Sequence, residues 1–402
     1  MVFKSLYSGQ GIPTDLIRRT SMATLFEKIY GVEAATTIAN SMGDVLEGLA
    51  WFEIEERYGL VTELLPQPNK WGSRPVMGIS ADENGPARMP QEWGHDFVWY
   101  PHDRPPGQSE DGHERHRLAV TAIIEKGGRV TVEDVARIWL RDIDPARFGY
   151  LLGPQDQVIY YALKAGVWPW ETGRYATFPG MIGTSKMMIA IGTVNACDPR
   201  QAARDALDVG RIKDVRGPRD NYSLEVAAAV AAGTAEALKP SATVDSVLGV
   251  ALEQLSRVPR REVETALQWA SDAADWRELR PKFQDKYLGH WMSDAVEILS
   301  GGAAIFQITG GHVEDSIVQA VNLGRDTDCR AYIAGGWSAA LRGIDAVPER
   351  WVKTVTEQVK TDPYTVSRRT PMESATGLYE AVQNELRRSK ERVADLEAQL
   401  TP

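Results

Sequence analysis

The sequence predicts an all-α protein, and three observations support this fold class. Apolar residues recur at three- and four-residue spacing along most of the chain, as they do on the buried face of a helix. Capping signatures precede several of these segments, for example at Thr131, where Asp134 follows three residues later. No stretch sustains the alternation of apolar and polar residues that a half-buried strand requires, which argues against a β-sheet protein.

The first predicted helix starts at Ser21, and a second apolar helix is predicted over residues 41–55. Acidic residues interrupt the second helix, and Asp44 and Glu47 fall three positions apart, on one face. If that face is buried, the two acids need arginines or a cation as partners. If it is exposed, they need none. The sequence leaves both arrangements open.

Residues 66–108 are rich in proline, glycine and tryptophan and show little periodicity. A loop of this length inside a compact protein is usually functional or mobile. The aromatic residues at positions 92–100 could stack on a base or a sugar, although core packing is the commoner use of tryptophan and tyrosine.

The next predicted helix covers residues 109–125, with Ser109 as a fair N-cap and acids in the first turn. His113 and His116 are three positions apart, whereas the zinc-protease motif needs histidines four apart, so we do not expect zinc there. The triplet Ser-Glu-Asp at residues 109–111 could instead offer a hydroxyl and two carboxylates to a hard metal ion.

Residues 126–290 are predicted to be mostly helical, with Ala-rich or Leu-rich segments that end at glycine, proline or polar turns. Two glycine-containing breaks, at residues 180–184 and 300–302, could bring backbone amides close to a phosphate. Turns between helices use glycine just as readily, so the sequence leaves both uses open.

The last two predicted helices differ in composition. Residues 331–344 are rich in small residues, which would let neighbouring helices approach closely. Residues 376–402 are strongly charged, and their apolar positions follow a heptad rhythm. This helix could dock on the body of the protein or pair two copies in a homo-oligomer. The heptad positions are Tyr379, Val382, Leu386, Ser389, Val393, Leu396 and Leu400.

The stretch NLGRDTDCR at residues 322–330 carries the strongest chemical signal. Asp326 and Asp328 are two positions apart, and in a continuous helix their side chains would point about 200° apart. They can converge only in a loop or a first helical turn. Converging carboxylates would make a hard-oxygen site for Mg²⁺, Mn²⁺ or Ca²⁺. Ordinary N-capping is the alternative, since aspartate and threonine are preferred caps.

Composition bounds the class of protein. The chain has 402 residues, 43% of them hydrophobic and 25% charged, which is typical of a soluble globular protein. The net charge of −10 favours neither nucleic acid nor an anionic membrane as a partner. Two cysteines are too few for a disulfide framework, and no apolar run reaches the length of a membrane span. We therefore expect a cytoplasmic protein.

Three motifs, in order along residues 24–355, resemble the ADP-ribosylglycohydrolase superfamily, which includes the dinitrogenase-reductase-activating glycohydrolases. The most specific is AVNLGRDTDC at residues 320–329, followed by a small-residue helix and by GIDAVPERW at 343–351. Gly43 and Asp44 resemble the family's early G-D-x-x-G motif, and SEDG at 109–112 stands where T-D-D-T is expected. The resemblance implies one compact multi-helix bundle over residues 1–375, followed by the heptad-like helix 376–402.

The resemblance also implies a glycohydrolase that uses two Mg²⁺ or Mn²⁺ ions to cleave an N- or O-glycosidic bond of an ADP-ribosylated or N-ribosylated substrate. Its substrate would be a small molecule or a modified protein. Carried over by position, the expected metal ligands are Ser109, Glu110, Asp111, Asp326, Asp328 and Cys329. The expected catalytic acids are Glu53, Glu110 and Asp111. The expected substrate-binding residues are Asp44, Gly180, Gly183 and Arg325.

The chain departs from the family pattern at four positions. Glu110 is longer than the usual aspartate, and Gly112 removes a hydroxyl. Cys329 is a poor ligand for Mg²⁺, and Arg325 adds a positive charge where glycine is usual. These changes favour altered metal occupancy and a different substrate. Three functions remain open: a glycohydrolase, an inactive ligand-binding or structural member, and another reaction, such as a lyase, at the same site.

Overall fold

The structure, a computed structural model, describes residues 23–67, 103–176, 178–215 and 221–400. Most of the long predicted loop, including its aromatic residues at 92–100, lies outside these ranges.

Within the described ranges the regular elements are helices, and the two isolated β-bridges do not extend into strands. The all-α prediction is therefore confirmed. None of the described helices combines the length and the apolar character needed to cross a membrane. The helices are α1 Leu25–Asp44, α2 Trp51–Tyr58, α3 Asp111–Lys126, α4 Val132–Asp142, α5 Pro154–Lys164, α6 Met188–Val194, α7 Pro199–Val209, α8 Ser223–Ala237, α9 Val244–Glu253, α10 Arg257–Asp272, α11 Leu279–Lys286, α12 Ala295–Ile308, α13 Val313–Val321, α14 Thr327–Arg342, α15 Glu349–Thr361 and α16 Pro371–Leu400.

Helices α1 and α14 form the centre of the bundle. They pack along each other, and α12 and α13 pack against α14. The predicted small-residue stretch lies in α14, where Ala334, Gly335 and Gly336 are buried between helices. Large aromatic side chains fill the spaces around this centre, since Trp139, Trp337 and Trp351 are at most 1% exposed. The carboxyl end of α1 and the first turn of α14 thereby meet inside the protein.

The prediction of one helix over residues 41–55 is wrong in its middle. α1 ends at Asp44, and α2 restarts at Trp51. Gly48 has a φ of +85°, a left-handed conformation that a right-handed helix cannot contain. The Gly48 amide donates a hydrogen bond to the Arg325 carbonyl at 2.8 Å, and the Arg325 amide donates to the Leu49 carbonyl at 2.7 Å. The break therefore fixes the loop that precedes α14.

The charged C-terminal helix is confirmed, but it begins earlier than the heptad pattern indicates. α16 begins at Pro371, and its first part packs on α1 and α3. The predicted boundary after residue 375 falls inside this helix. Farther along α16 the apolar side chains are exposed: Leu386 55%, Val393 51%, Leu396 51% and Leu400 81%. We call these four residues the exposed stripe.

Candidate active site and cation position

The carboxylates of Asp326 and Asp328 meet at the N-terminus of α14. Asp326 is the N-cap residue, and its Oδ1 accepts a hydrogen bond from the Cys329 amide at 3.2 Å. Asp328 lies in the first turn, so the two side chains can converge, whereas in a continuous helix they would point apart. Ligand atoms of Asp326, Asp328 and Cys329 lie within 4.8 Å of one another. Capping and convergence, which were alternatives at the level of sequence, occur together.

Asp326 Oδ2 is a buried acceptor with no hydrogen-bond partner among the described residues. Burial raises the pKa of Asp326 well above its ordinary value, and the Asp328 and Glu47 carboxylates raise it further. A buried acceptor without a donor costs about 1–3 kcal/mol, and more if it is charged. A bound cation would remove that cost. The Asp326 and Asp328 oxygens therefore fit one divalent cation.

Gly43 holds α1 against the cation position. A Cβ atom at residue 43 would lie 2.3 Å from the Asp328 Cα, so only glycine allows this approach. Thr327 Oγ1 donates a hydrogen bond to the Gly43 carbonyl at 2.7 Å and fixes the contact. The next residue, Asp44, is buried, and its Oδ2 lies 2.8 Å from the Arg104 guanidinium. Of the two arrangements that the sequence allowed for Asp44, the structure shows burial with an arginine partner.

The triplet Ser109, Glu110 and Asp111 lies at the N-terminus of α3. The N-cap is Glu110 rather than Ser109, because the two Glu110 carboxylate oxygens accept hydrogen bonds from the Gly112 and His113 amides, each at 2.7 Å. Asp111 is the first helical residue; its side chain is 22% exposed and pairs with Arg115 at 2.7 Å. Ser109 is buried, and its hydroxyl donates to the Glu110 carbonyl at 3.4 Å.

Lys186, which the sequence analysis did not single out, joins the two acidic helix ends. Its Nζ lies 2.8 Å from Asp328 Oδ2 and 3.4 Å from Glu110 Oε1, and it donates a hydrogen bond to Asn40 Oδ1. Lys186 is 1% exposed. Burial alone would lower the pKa of Lys186, but the neighbouring acids, Asp328 first, outweigh burial and hold it well above its ordinary value. The charged form of Lys186 is therefore favoured at this position.

The other acids that were predicted to face metals or substrate each pair with a cation of the chain itself: Asp44 with Arg104, Asp111 with Arg115, and Glu110 with Lys186. Lys186 also contacts Asp328, through Oδ2. These pairs disfavour a second divalent cation among the described residues.

A separate charged cluster, also missed from the sequence, is connected to Asp111 through Arg115. The Asp156 carboxylate is fully buried, accepts hydrogen bonds from Arg115 Nε and Nη2 at 2.8 and 2.7 Å, and lies 2.6 Å from Lys213 Nζ. Burial opposes the charge of Asp156, but Arg115 and Lys213 outweigh it and lower its pKa. Burial and the nearby Arg115 charge lower the pKa of Lys213 to about 8. Nothing in the local sequence around residue 156 distinguishes this aspartate from a helix cap.

Arg325 and Cys329 have surroundings that differ from the predicted roles. The Arg325 guanidinium forms two hydrogen bonds to Glu297, at 2.6 and 2.9 Å, and lies 2% exposed, so a substrate does not reach it. Its φ of +64° preserves the left-handed backbone for which glycine is usual at this position. Burial raises the pKa of the Cys329 thiol well above its ordinary value, and Sγ donates to Asp328 Oδ2 at 3.5 Å. A neutral thiol donor is a poor cation ligand.

The remaining predicted residues lie around the site in two groups. Glu53 caps α2 through the Ala50 amide at 2.8 Å and pairs with Arg57 at 3.2 Å. The Gly180 amide donates to Asp214 at 3.1 Å, and Gly183 lines a small cleft. Lys213 and Phe178 also line this cleft. The substrate-binding roles of the two glycines remain predictions.

Comparisons with known proteins agree with the fold and the motifs. Among curated proteins, no sequence matches the chain. A solved structure titled "ADP-ribosylglycohydrolase-related protein complex" is similar, with a TM-score of 0.53 and 17% sequence identity, covering 89% of this chain and 99% of that one. At this identity the likeness shows the fold alone. Residues 21–387 match the ADP-ribosylglycohydrolase family. Since that match spans most of its length, the chain belongs to the ADP-ribosylglycohydrolase family.

Proposed function

We propose that the protein hydrolyses an N- or O-glycosidic bond at the anomeric carbon of an ADP-ribosylated or N-ribosylated substrate, and that it uses a divalent cation to do so. Family membership implies glycohydrolase activity on ADP-ribose-type substrates. The bond that is cleaved and the dependence on Mg²⁺ or Mn²⁺ are the finer parts of the proposal.

The observation that supports it is the unpartnered Oδ2 of Asp326 beside Asp328, inside the protein. Two carboxylates this deep repel each other, and the Lys186 ammonium group pairs with Asp328 and Glu110 rather than with Asp326. Carboxylate oxygens are the ligands that Mg²⁺ and Mn²⁺ prefer. When bound, such an ion would act as a Lewis acid toward oxygen atoms of the substrate.

We assign the catalytic carboxylate to Asp111. It is the one member of the Glu110, Asp111, Asp326 and Asp328 group whose side chain is substantially accessible, at 22%, whereas the other three residues are 1–2% exposed. Arg115 holds one of its oxygens at 2.7 Å and so fixes the orientation of the group. The Glu53 carboxylate caps α2 and the Glu110 carboxylate caps α3, so both already accept hydrogen bonds from backbone amides.

The reaction adds water across the glycosidic bond. The Asp111 carboxylate accepts a proton from the attacking water, whose oxygen bonds to the anomeric carbon. The bond from that carbon to the leaving nitrogen or oxygen breaks, and the leaving atom takes up a proton from solvent, while Asp111 releases to solvent the proton that it accepted. Positive charge that develops at the anomeric carbon is stabilised by the excess of carboxylates around it.

A ligand-binding member without turnover is the second candidate. The pairing of Asp44, Asp111 and Asp328 with cations of the same chain favours it, because these pairs reduce the free carboxylate charge available for catalysis.

The test uses two peptides, one carrying ADP-ribose on arginine and one on serine, and measures the released ADP-ribose by chromatography. We expect release that requires Mg²⁺ or Mn²⁺ and that stops in EDTA. Asp326→Asn should reduce it to background, and Asp111→Asn should lower kcat by about 100-fold or more. Asp345→Asn, a change at an exposed aspartate, is the matched control and should leave the rate unchanged.

Release that persists in EDTA and in Asp326→Asn would refute the role of the cation. Binding of ADP-ribose by calorimetry, with no release from either peptide, would favour the second candidate.

We also propose that the exposed stripe of α16 pairs two copies of the chain. Its valine and leucines hold heptad positions, and Arg392 and Glu397 stand at flanking positions that face each other across a parallel pair. Opposite charges at such positions favour pairing in that orientation.

A further inference from the structure

The Lys186 side chain crosses the interior to reach the acidic helix ends. It belongs to the short 3-10 helix Ile182–Met187 and is anchored there, since its backbone carbonyl accepts a hydrogen bond from the Tyr332 hydroxyl at 2.7 Å. Its Nζ also lies 5.0 Å from the centre of the Tyr332 ring, within range of a cation–π contact. Both ends of the side chain are therefore held, and the ammonium group has a fixed position.

Three side-chain oxygens surround this ammonium group. They belong to Asn40, Glu110 and Asp328, and all three residues are at most 2% exposed. An ammonium group has three N–H donors, so three oxygens are the number it can satisfy. An amide oxygen and two carboxylates are also the donors that a hard divalent cation would take. The lysine thus occupies a position with the chemistry of a cation site.

The chain makes room for this lysine at Gly112. A Cβ atom at residue 112 would lie 1.9 Å from the Lys186 Cε and 2.8 Å from Nζ. Any other residue there would displace the ammonium group. The Gly112 amide still donates a hydrogen bond to the Glu110 carboxylate, so the cap of α3 is retained. The absence of a side chain at residue 112 leaves the space that the Lys186 side chain occupies.

A divalent cation cannot share this position with the ammonium group. Two like charges in a buried site repel strongly, and the carboxylate oxygens nearest to Lys186 are already occupied. Asp326 differs, because its Oδ2 has no hydrogen-bond donor among the described residues.

We infer that Lys186 is a built-in replacement for one metal ion, so that the site binds a single exchangeable divalent cation, at Asp326 and Asp328. The inference rests on the proposed function for the cation at Asp326. It adds that the oxygens that face Lys186, namely Asn40 Oδ1, Glu110 Oε1 and Asp328 Oδ2, are closed to metal while the lysine is present.

The experiment is a measurement of Mn²⁺ stoichiometry, by equilibrium dialysis and elemental analysis, on the full chain. The wild type should bind one Mn²⁺ per chain. Lys186→Ala should bind two, because the ammonium group is gone and the three oxygens become accessible. Lys28→Ala is the matched control: it removes another buried lysine, whose Nζ donates to the Ala237 and Lys239 backbone carbonyls, so the count should stay at one.

The outcomes separate the two proposals. One Mn²⁺ in both the wild type and folded Lys186→Ala would overturn the role of Lys186 and leave the cation at Asp326 standing. None in the wild type but one in Lys186→Ala would support the role of Lys186 and refute the cation at Asp326. If Lys186→Ala does not fold, the wild type decides: two tightly bound Mn²⁺ overturn the inference, and one supports it.

A double-mutant cycle tests the steric part independently of metal. Gly112→Ala should destabilise the wild type, because the new methyl group meets the Lys186 side chain. In the Lys186→Ala background the same change should have little effect. Equal losses of stability in the two backgrounds would contradict the proposed coupling.

Discussion

Two of the buried lysines, Lys186 and Lys213, have pKa shifts of opposite sign. Burial lowers the pKa of both. At Lys186 the Asp328 carboxylate and the other acids outweigh burial and raise the pKa, whereas at Lys213 the Arg115 guanidinium adds to burial and lowers it to about 8. Depth is similar, at 1% and 5% exposure, so the difference comes from the neighbours.

This comparison distinguishes two pockets. The acid-rich pocket consists of Asn40, Glu110, Lys186, Asp326 and Asp328, and its carboxylates outnumber its cation. The balanced pocket consists of Asp111, Arg115, Asp156 and Lys213, and its two acids meet two bases. An added cation is favourable only in the first. In the second, loss of an acid leaves an excess of buried positive charge.

The largest expected effect is on stability in the balanced pocket. Asp156→Asn removes the charge that Arg115 and Lys213 share, and a broken buried ion pair costs about 3–5 kcal/mol. We expect a loss of that size in the free energy of unfolding, measured by urea denaturation at pH 7. Asp345→Asn serves as the surface control, and a loss below about 1 kcal/mol for Asp156→Asn would show that the pocket is not balanced by this acid.

The second prediction concerns pH. The pKa of Lys213 is lower in the folded protein, so above pH 8 the unfolded chain binds more protons there, and stability rises with pH. Lys213→Met lacks this group. The difference in free energy of unfolding, wild type minus variant, should therefore increase by about 2 kcal/mol between pH 8 and 9.5. A flat difference across this range would contradict the lowered pKa.

The third prediction concerns the acid-rich pocket, where loss of an acid should stabilise the protein rather than destabilise it. Asp326→Asn keeps Oδ1 as the cap of α14 and removes the buried charge. In EDTA at pH 8 we expect the variant to be about 1–2 kcal/mol more stable than the wild type. Because folding raises the pKa of Asp326, ionisation of this group destabilises the folded wild type as the pH rises. The stability advantage of Asp326→Asn over the wild type should therefore be largest at high pH and shrink as the pH falls.

Addition of Mn²⁺ should then reverse the order. The wild type binds the ion in its folded state and is stabilised, while Asp326→Asn is not. Equal thermal shifts on addition of Mn²⁺ would contradict a cation at Asp326.

The smallest effect on stability is expected at the exposed stripe. Leu396 is 51% exposed, so Leu396→Asp should change the free energy of unfolding by less than about 0.5 kcal/mol. If two copies pair through α16, the same change should shift the molar mass from dimer to monomer in analytical ultracentrifugation. A mass independent of this substitution would refute pairing through the stripe.

The sequence was sufficient to predict most of the fold. Helical periodicity and caps gave the all-α class, and the DTD stretch gave the first turn of α14, because these signals are local. The break between α1 and α2 was missed because it depends on two backbone hydrogen bonds with the distant Arg325, one donated by the Gly48 amide and one accepted by the Leu49 carbonyl.

The candidate site was only half predictable. Asp326, Asp328 and Gly43 stand in motifs whose spacing carries information. Lys186 and Asp156 do not, since their roles arise only when elements far apart in the chain are packed together. Gly112 was the one local signal in the sequence that is related to Lys186. The sequence marked it as a lost hydroxyl, but only the structure shows what fills the space.

The contact between Gly112 and Lys186 also constrains how this pocket arose. In this geometry a side chain at residue 112 would displace the Lys186 side chain from its present position. A larger residue at 112 is therefore incompatible with the ammonium position described here, so a change at one position should accompany a change at the other. The two positions should therefore vary together among homologues, and the pair offers a two-letter marker for finding others of this kind.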